Sequence, residues 1–301
     1  MKQKTTGYGF LLLTILLFST YEVVGRTFAA EIPPLFVSGV RFVLGGLILL
    51  PFALKDMRRR DLTLKAKDVA ILTALGLLNA GVAMGLLQMS LQFINASTSA
   101  VLFSSNPLLV MAFSTIMLKE PITKGKVLSL ALGIAGMVFV AGGFVVHSLT
   151  GVLLALGATA AFGFYTVAGK QLTNRYGTLV MNGVSFVLGG GIVLLASVAL
   201  PGEGLVISAR NWLLLVYLGV FVTGIAYYAF FTGLSYTDTT LGSAVFFCKP
   251  VFACLFAYYL LGEAITPGQV VGIGLILAAM LLIFIPVQRG ASSPSHAQKR
   301  I

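Results

Sequence analysis

The stretch LKEPITKGKV (Leu118–Val127) returns 143 residues later as LGEAITPGQV (Leu261–Val270). A second motif, FVLGG, occurs at residues 42–46 and again at residues 186–190. Further matches at nearly the same offset pair Leu75-Gly76 with Leu218-Gly219, Gly81 with Gly224, Leu91 with Leu234, Phe103 with Phe246, Pro107 with Pro250, and Phe113 with Phe256. Because they run through most of the chain, we predict two structurally similar halves.

The composition places the chain in a membrane. Of its 301 residues, 58% are hydrophobic and only 10% are charged, and the mean hydropathy is +0.99. Soluble domains have about 45–50% apolar and about 25% charged residues. These values exclude an ordinary soluble domain and predict a protein with many membrane spans.

Ten apolar segments have the length of about 20 residues that a membrane-spanning helix needs. They cover approximately residues 7–28, 34–54, 68–91, 95–118, 124–145, 149–170, 178–200, 211–234, 238–261 and 266–287. We therefore predict an all-α integral membrane protein with ten transmembrane helices and mostly short connections.

The distribution of basic residues predicts the orientation. With the N-terminus inside, 16 of the 20 Lys and Arg residues fall in inside segments and two fall outside. Inside loops of membrane proteins carry such an excess. We expect a multi-pass protein of the cytoplasmic (inner) membrane with both termini in the cytoplasm. The net charge of +11 then reflects topology and not nucleic-acid binding.

Each half of the repeat contains five spans, and five is an odd number. The second half must therefore enter the membrane upside down relative to the first, which is an inverted repeat. We predict a first five-helix repeat at residues 1–147, a second, inverted repeat at 148–288, and a disordered cytoplasmic tail at 289–301. Many secondary transporters have this architecture, with the substrate site near the bilayer midplane between the halves.

The ten spans, the repeat and the glutamate motif that closes spans four and nine resemble the drug/metabolite transporter superfamily, in its EamA-type branch. The resemblance covers about residues 7–287. It implies secondary transport by alternating access. Known members export amino acids and other small metabolites, and relatives exchange phosphorylated sugars or nucleotide sugars. Glu120 and Glu263 match the recurrent glutamate of the family; Pro121 follows the first, whereas Ala264 follows the second.

Two prolines mark the middle of spans four and nine. Asn106 precedes Pro107, and its repeat counterpart Lys249 precedes Pro250, about eleven residues into each span. Proline removes a backbone hydrogen bond and disfavours a helical residue before it, so we predict a kink or unwound turn. A charge at this depth costs roughly 2.5–3.5 kcal/mol on insertion scales. We expect Asn106 and Lys249 to line a central site where Lys249 binds a carboxylate or phosphate; the alternative is a structural lysine paired with a buried acid or with backbone carbonyls.

One acidic residue, Glu22, lies deep within a span. Glu22 and Arg41 are each about six residues from the outer turn that joins spans one and two, so we predict an ion pair between them. One interpretation is a structural clamp between neighbouring helices. The other makes Glu22 a proton-coupling carboxylate or a ligand for a substrate amine.

Further polar and aromatic positions are candidates for the wall of the site. Tyr21 and Tyr165 are repeat partners, Asn79 and Gln88 lie on span three, and Tyr227 belongs to an aromatic stretch of the second half. Apolar and aromatic walls with few polar groups suit a small organic ligand. We therefore predict that these five residues contribute to substrate binding.

The sequence lacks the residue patterns of an enzyme, a metal site or a cofactor site. We find no Gly-x-Ser-x-Gly, no His-Glu-x-x-His and no paired intramembrane acids. We predict a secondary transporter that exports an amino acid or a related zwitterionic or anionic metabolite, either coupled to protons or by exchange or uniport. The alternatives are an exchanger of phosphorylated or anionic metabolites and a lipid flippase. The expected partners are the substrate, lipid and, with coupling, protons, and the chain acts as a monomer or a dimer without nucleic acid.

Overall fold

The computed structural model describes residues 2–27, 30–94, 96–140, 148–199, 207–252, 255 and 266–284. Glu263, much of the second half of predicted span nine and the predicted tail at 289–301 lie outside these residues.

The described part of the chain consists of helices and short connections. In chain order the helices are α1 (Lys2–Phe18), α2 (Tyr21–Thr27), α3 (Pro34–Arg59), α4 (Ala66–Leu77), α5 (Met84–Phe93), α6 (Ala96–Ser104), α7 (Asn106–Met117), α8 (Lys124–Val140), α9 (Leu149–Tyr176), α10 (Thr178–Ala199), α11 (Ala209–Tyr217), α12 (Ala226–Ser235), α13 (Thr239–Ser243) and α14 (Pro267–Phe284). Seven helical spans among the described residues are long and apolar enough to cross a membrane: α1 with α2, α3, α4 with α5, α6 with α7, α9, α10, and α11 with α12.

Two of these spans contain a π-helical segment. Leu78–Ala83 joins α4 to α5, and Leu218–Ile225 joins α11 to α12. The two segments lie at nearly corresponding places of the sequence repeat. Each holds one polar side chain, Asn79 or Thr223, in an otherwise apolar run. Because π-helical turns inside α-helices occur frequently at functional sites, these segments direct attention to the middle of the bundle.

Glycines let the central helices approach at backbone distance. A Cβ atom at Gly46 of α3 would lie 2.7 Å from the amide nitrogen of Val187, and one at Gly190 of α10 would lie 2.7 Å from Cβ of Phe42. A Cβ atom at Gly76 of α4 would lie 1.9 Å from the carbonyl oxygen of Ser185. Small residues at helix contacts permit this close packing in membranes, and the packing fixes α3, α4 and α10 around the centre.

Side-chain contacts between connections define two ends of the bundle. At one end, Arg60 donates to the carbonyl oxygen of Tyr176 (2.8 Å), and Arg175 pairs with Asp68 (2.8 Å). These bonds place the α3–α4 and α9–α10 connections together, and we call this the charged end. At the opposite end, Asn211 donates to Glu31 (2.7 Å).

Candidate functional site

A small cavity lies in the middle of the bundle. Its lining consists of Phe18, Tyr21, Arg41, Met84, Leu87, Phe103, Phe162, Val222, Tyr227 and Lys249. Its volume is about 20 Å³, enough for a single water molecule. All of the lining side chains are buried, so the structure shows a closed conformation with mostly apolar walls and two cationic groups.

Lys249 forms a buried ion pair with Glu22 beside this cavity. A turn at Ser19–Thr20 separates α1 from α2 and places Glu22 in the first turn of α2. A 3₁₀-helical segment, Ala244–Cys248, leads directly into Lys249. The two side chains are 2% and 3% exposed. A pair of this kind offsets much of the desolvation cost of each charge, and removing one partner leaves the other stranded.

Arg41 occupies the cavity wall without a carboxylate partner among the described residues. Its Nε donates to Oγ1 of Thr223 (3.1 Å), and its guanidinium lies over the ring of Tyr21, 4.3 Å from the centroid. The side chain is almost completely buried, and its Nη1 has no hydrogen-bond partner. We refer to Glu22, Arg41 and Lys249 as the central cluster.

The structure does not form the predicted ion pair between Glu22 and Arg41. The two residues do lie in neighbouring helices, but Glu22 pairs with Lys249. The ring that faces Arg41 is that of Tyr21, the residue before Glu22. Consecutive residues of an α-helix point about 100° apart, so the orientation that brings Tyr21 to Arg41 directs Glu22 elsewhere.

Tyr21 and Gln88 hold α2 against α5. The hydroxyl of Tyr21 donates to Oε1 of Gln88 (2.8 Å), and Nε2 of Gln88 donates to the carbonyl oxygen of Gly25 (3.1 Å). A Cβ atom at Gly25 would lie 3.0 Å from Oε1 of Gln88, so a glycine at this position allows the close contact. Of these two candidates, Tyr21 lines the cavity, whereas the Gln88 amide is engaged in holding α2.

Tyr227, Asn79 and Tyr165 form a second layer of polar groups. Tyr227 lines the cavity, and its hydroxyl donates to Oδ1 of Asn79 over 3.4 Å. The ring of Tyr165 packs edge-on to Tyr227 at 6.1 Å. Nδ2 of Asn79 and the hydroxyl of Tyr165 are buried without hydrogen-bond partners. These groups can accept or donate new hydrogen bonds when the conformation changes.

Asn106 and the two prolines lie at breaks in their helices. A turn at Ser105 separates α6 from α7, and Pro107 occupies the first turn of α7. Nδ2 of Asn106 donates to the carbonyl oxygen of Thr159 (3.3 Å) and thereby ties α7 to α9. Asn106 is absent from the lining of the cavity, whereas its repeat counterpart Lys249, followed by Pro250, is part of it.

Aromatic rings close the cavity toward the charged end. The rings of Phe18 and Phe246 stack at 5.8 Å, and those of Phe162 and Phe230 stack at 6.2 Å. Three of these rings lie nearer to the charged end than the polar residue of the same segment. They are Phe18 relative to Tyr21, Phe230 relative to Tyr227, and Phe246 relative to Lys249. Offset and edge-on pairs of this kind contribute about 0.5–1.5 kcal/mol each beyond their buried area, so the seal stabilises the closed state.

Four further charges form a second cluster at the charged end. Lys126 pairs with Asp238 (2.8 Å) and lies 3.6 Å from Glu120, and Lys170 lies 3.5 Å from Glu120. Glu120 accepts hydrogen bonds from the amide (3.1 Å) and hydroxyl (2.6 Å) of Thr239. We refer to Glu120, Lys126, Lys170 and Asp238 as the end cluster.

The environment of Glu120 favours its ionised form. Burial opposes ionisation, but the two hydrogen bonds from Thr239 and the charge of Lys170 outweigh it, and the pKa of Glu120 falls to about 2. The recurrent glutamate of the first half therefore fastens the start of α13 to the connection before α8. Its counterpart Glu263 lies outside the described residues.

Several residues at the cavity were not predicted from the sequence. Thr223 orients Arg41, and Met84, Leu87 and Val222 complete the apolar wall. Thr223 is the only polar side chain in its π-helical segment, LGVFVTGI, and this isolation is the one signal that could have identified it. The apolar residues carry no signal, because many other leucines and valines of the spans are exposed or pack against neighbouring helices away from the cavity.

Comparisons with known proteins agree with this architecture. The family model described as the EamA-like transporter family matches residues 5–142 and 149–285. An uncharacterized transporter of Clostridium kluyveri is 32% identical over 289 residues, which cover 92% of each chain. The uncharacterized inner membrane transporter YedA of Escherichia coli K12 is 28% identical over 269 residues, covering 88% of this chain and 86% of YedA. One solved crystal structure superposes with a TM-score of 0.73 at 20% identity, over 92% of this chain and 96% of the other.

The apolar spans make this a multi-pass membrane protein, and the family match places it in the transporter class. The chain belongs to the EamA-like transporter family, which confirms the resemblance found in the sequence. It is a transporter rather than an enzyme.

Proposed function

We propose that this protein is a secondary active transporter that moves a small organic metabolite by alternating access. The observation that carries the proposal is the buried Glu22–Lys249 pair beside a closed cavity at the centre of the bundle. Ionisable residues inside a membrane protein are costly and mark substrate or ion pathways. The substrate class is an amino acid or a related zwitterionic or anionic compound, and the direction is export.

A ten-helix arrangement in two inverted repeats accounts for the helices. Besides the seven long spans, the described part of the chain contains two shorter apolar helices, Thr239–Phe252 and Pro267–Ala279, and the 17-residue helix α8. Together with the seven long spans, these three shorter helices give ten candidate crossings, which supports the ten-helix arrangement. We place the boundary between the repeats at residues 147 and 148.

The packing of the helices supports the inverted repeat. Gly46 of the first half contacts Phe186 and Val187 of the second half. The repeat counterpart of Gly46 is Gly190, and it contacts Phe42 and Val43, which are the counterparts of Phe186 and Val187. The contact of Gly76 with Gly189 likewise has a counterpart between Gly219 and the region of Arg41 and Leu44. A two-fold relation between the halves produces such reciprocal contacts, and the odd number of five spans per half would place its axis in the membrane plane.

We place the protein in the cytoplasmic (inner) membrane with the charged end and both termini in the cytoplasm. The positive-inside rule supports this orientation. The name of the E. coli relative, an uncharacterized inner membrane transporter, supports the location. We expect a monomer surrounded by lipid.

Transport requires the closed conformation to open at each end in turn. The turn at Ser19–Thr20 allows α2, with Tyr21 and Glu22, to move independently of α1 on the opposite side of the cavity. Opening toward the charged end requires separation of the end cluster. In a proton-coupled mechanism, protonation of Glu22 would release Lys249 and loosen α2.

Flux measurements on purified protein in liposomes test this function. We expect saturable uptake or exchange of a labelled amino acid or organic anion, driven by its own gradient or by a pH gradient, and absent from empty liposomes. Lys249→Met should abolish the flux, whereas Lys124→Met, an exposed lysine at the charged end, should retain it. Linear, non-saturating conductance would indicate a channel, and flux of labelled lipid alone would indicate a flippase.

A further inference from the structure

The charges at the cavity do not balance. Three cations are buried in the described part of the chain: Arg41, Lys126 and Lys249. Lys126 has Asp238 and Glu120 as partners, and Lys249 has Glu22. Arg41 has no carboxylate within ion-pair distance among the described residues, so the central cluster carries one excess positive charge.

The guanidinium of Arg41 is held in place but not satisfied. Thr223 fixes its Nε, and the ring of Tyr21 covers one face of the guanidinium group. Its Nη1 is buried without a partner in a cavity wall. An uncompensated buried charge is expensive, and an arginine side chain presents a rigid fork that matches a carboxylate.

We infer that Arg41 is the ligand for a carboxylate on the substrate, and that the substrate is a small organic monoanion with an apolar body. This inference rests on the proposed function and narrows it. One carboxylate neutralises the excess charge of the central cluster, whereas a zwitterion leaves that charge in place and a doubly charged phosphate ester reverses its sign.

The rest of the cavity wall fits the same substrate. Phe18, Phe103, Phe162, Leu87 and Val222 offer apolar contacts to the body of the ligand. Lys249 also lies in the wall, but its charge is already balanced by Glu22. Because the closed cavity holds only about one water molecule, the anion must enter a more open conformation and the walls must close around it.

Binding of matched compounds to the purified full-length protein tests the inference. One set shares a phenylethyl or phenyl body and varies the charge: 3-phenylpropanoate, phenylalanine, 3-phenylpropanamide, phenylethylamine and phenyl phosphate. A second set with a short aliphatic body comprises butanoate, 2-aminobutanoate, butanamide and propylamine. Thermal stabilisation and equilibrium binding are measured for each compound, since a ligand that binds the native state stabilises it by mass action.

We expect the carboxylates of at least one set to bind more tightly than the zwitterion, amide, amine and phosphate with the same body. Arg41→Gln should raise the Kd of the carboxylate at least tenfold, and Arg41→Lys, which keeps the charge but loses the fork, should have an intermediate effect. Arg210→Gln, an exposed arginine at the opposite end, serves as the matched control and should leave the Kd unchanged. The unliganded melting temperature of Arg41→Gln should stay close to that of wild type, which separates a binding role from a structural one.

Two results would overturn the inference. Tighter binding of a zwitterion, amide, amine or phosphate than of the carboxylate with the same body removes the monoanion as the substrate class. Carboxylate binding that is equal in wild type and Arg41→Gln removes Arg41 as the carboxylate ligand. If liposomes then still show saturable flux of the compound that binds, the transporter function stands without the anion site. If no compound binds and no flux is found, both proposals fail together.

Discussion

At the charged end, Lys126 and Lys170 face Glu120 and Asp238. At the cavity, Lys249 pairs with the single carboxylate of Glu22, and Arg41 has no carboxylate partner among the described residues. The end cluster is balanced in charge. The central cluster is more deeply buried and carries an excess positive charge. A balanced cluster can fasten two segments without further help, whereas an unbalanced one in a cavity wall leaves a place for an anion. We therefore expect the end cluster to act in closure and the central cluster in recognition.

Lys249→Met should produce the largest change, because it strands the carboxylate of Glu22 in the apolar interior. Breaking a buried pair by removing one partner costs about 3–5 kcal/mol. We expect a loss of stability of this size in unfolding by denaturant of the detergent-solubilised protein. The double variant Glu22→Gln/Lys249→Met should recover most of the loss. Equal stability of the single and double variants would show that the pair is not coupled.

The structure explains why the sequence places Glu22, Arg41 and Lys249 at similar depth but does not give the ion-pair partner of Glu22. Span position gives the depth of Glu22, Arg41 and Lys249 in the membrane, because a helix rises by a constant amount per residue. It does not give direction around the helix axis once a span is broken, as α1 and α2 are at Ser19–Thr20. The sequence therefore brings the three charges to one region and cannot choose the partner of Glu22.

The all-helical fold was easier to predict from the sequence than the site. Long apolar segments predict helices directly, and α3, α9 and α10 begin at the predicted residues 34, 149 and 178. The π-helical segments were not foreseen, since their sequences, LNAGVA and LGVFVTGI, read as ordinary apolar helix. The contacts of Gln88 with α2 likewise depend on the tertiary approach of Gly25, which no local pattern encodes.

Lys126→Met should have the next largest effect and should act on closure. The substitution leaves Glu120 and Asp238 with Lys170 alone, and we expect a loss of about 1–3 kcal/mol, the cost of leaving a buried polar group without its partner. The contact between α7 and α13, where Ser114 and Thr240 share a 3.1 Å hydrogen bond, should then open. Labelling of Ser114→Cys by a membrane-impermeant maleimide should accelerate in the Lys126→Met background.

Labelling should be unchanged in the background of Lys124→Met, the neighbouring exposed lysine. If both backgrounds label alike, the end cluster is not the closure of this end. The side from which the reagent reaches the cysteine in oriented vesicles also reports whether the charged end is cytoplasmic.

Acid should weaken the end cluster through Glu120. The pKa of Glu120 is lowered from 4.5 to about 2 in the folded protein. Its stabilising contribution is therefore fully present above about pH 4.5 and is lost as the pH falls toward 2, by about 1–2 kcal/mol when discounted for partial exposure. Melting temperatures between pH 5 and pH 2.5 should fall less steeply for Glu120→Gln than for wild type. Parallel curves would mean that the pKa of Glu120 is not shifted.

The smallest expected change in stability is also the sharpest test of the comparison. Arg41→Gln removes a buried charge that has no carboxylate partner among the described residues, so little Coulombic attraction is lost and a desolvation cost disappears. We expect the unliganded protein to change by less than about 1 kcal/mol in either direction, far below the loss for Lys249→Met, although both residues are cations in the same wall. Denaturant midpoints of the two variants, measured side by side, decide the matter. A loss for Arg41→Gln as large as that for Lys249→Met would mean that Arg41 has a structural anionic partner, and the central cluster would then be as balanced as the end cluster.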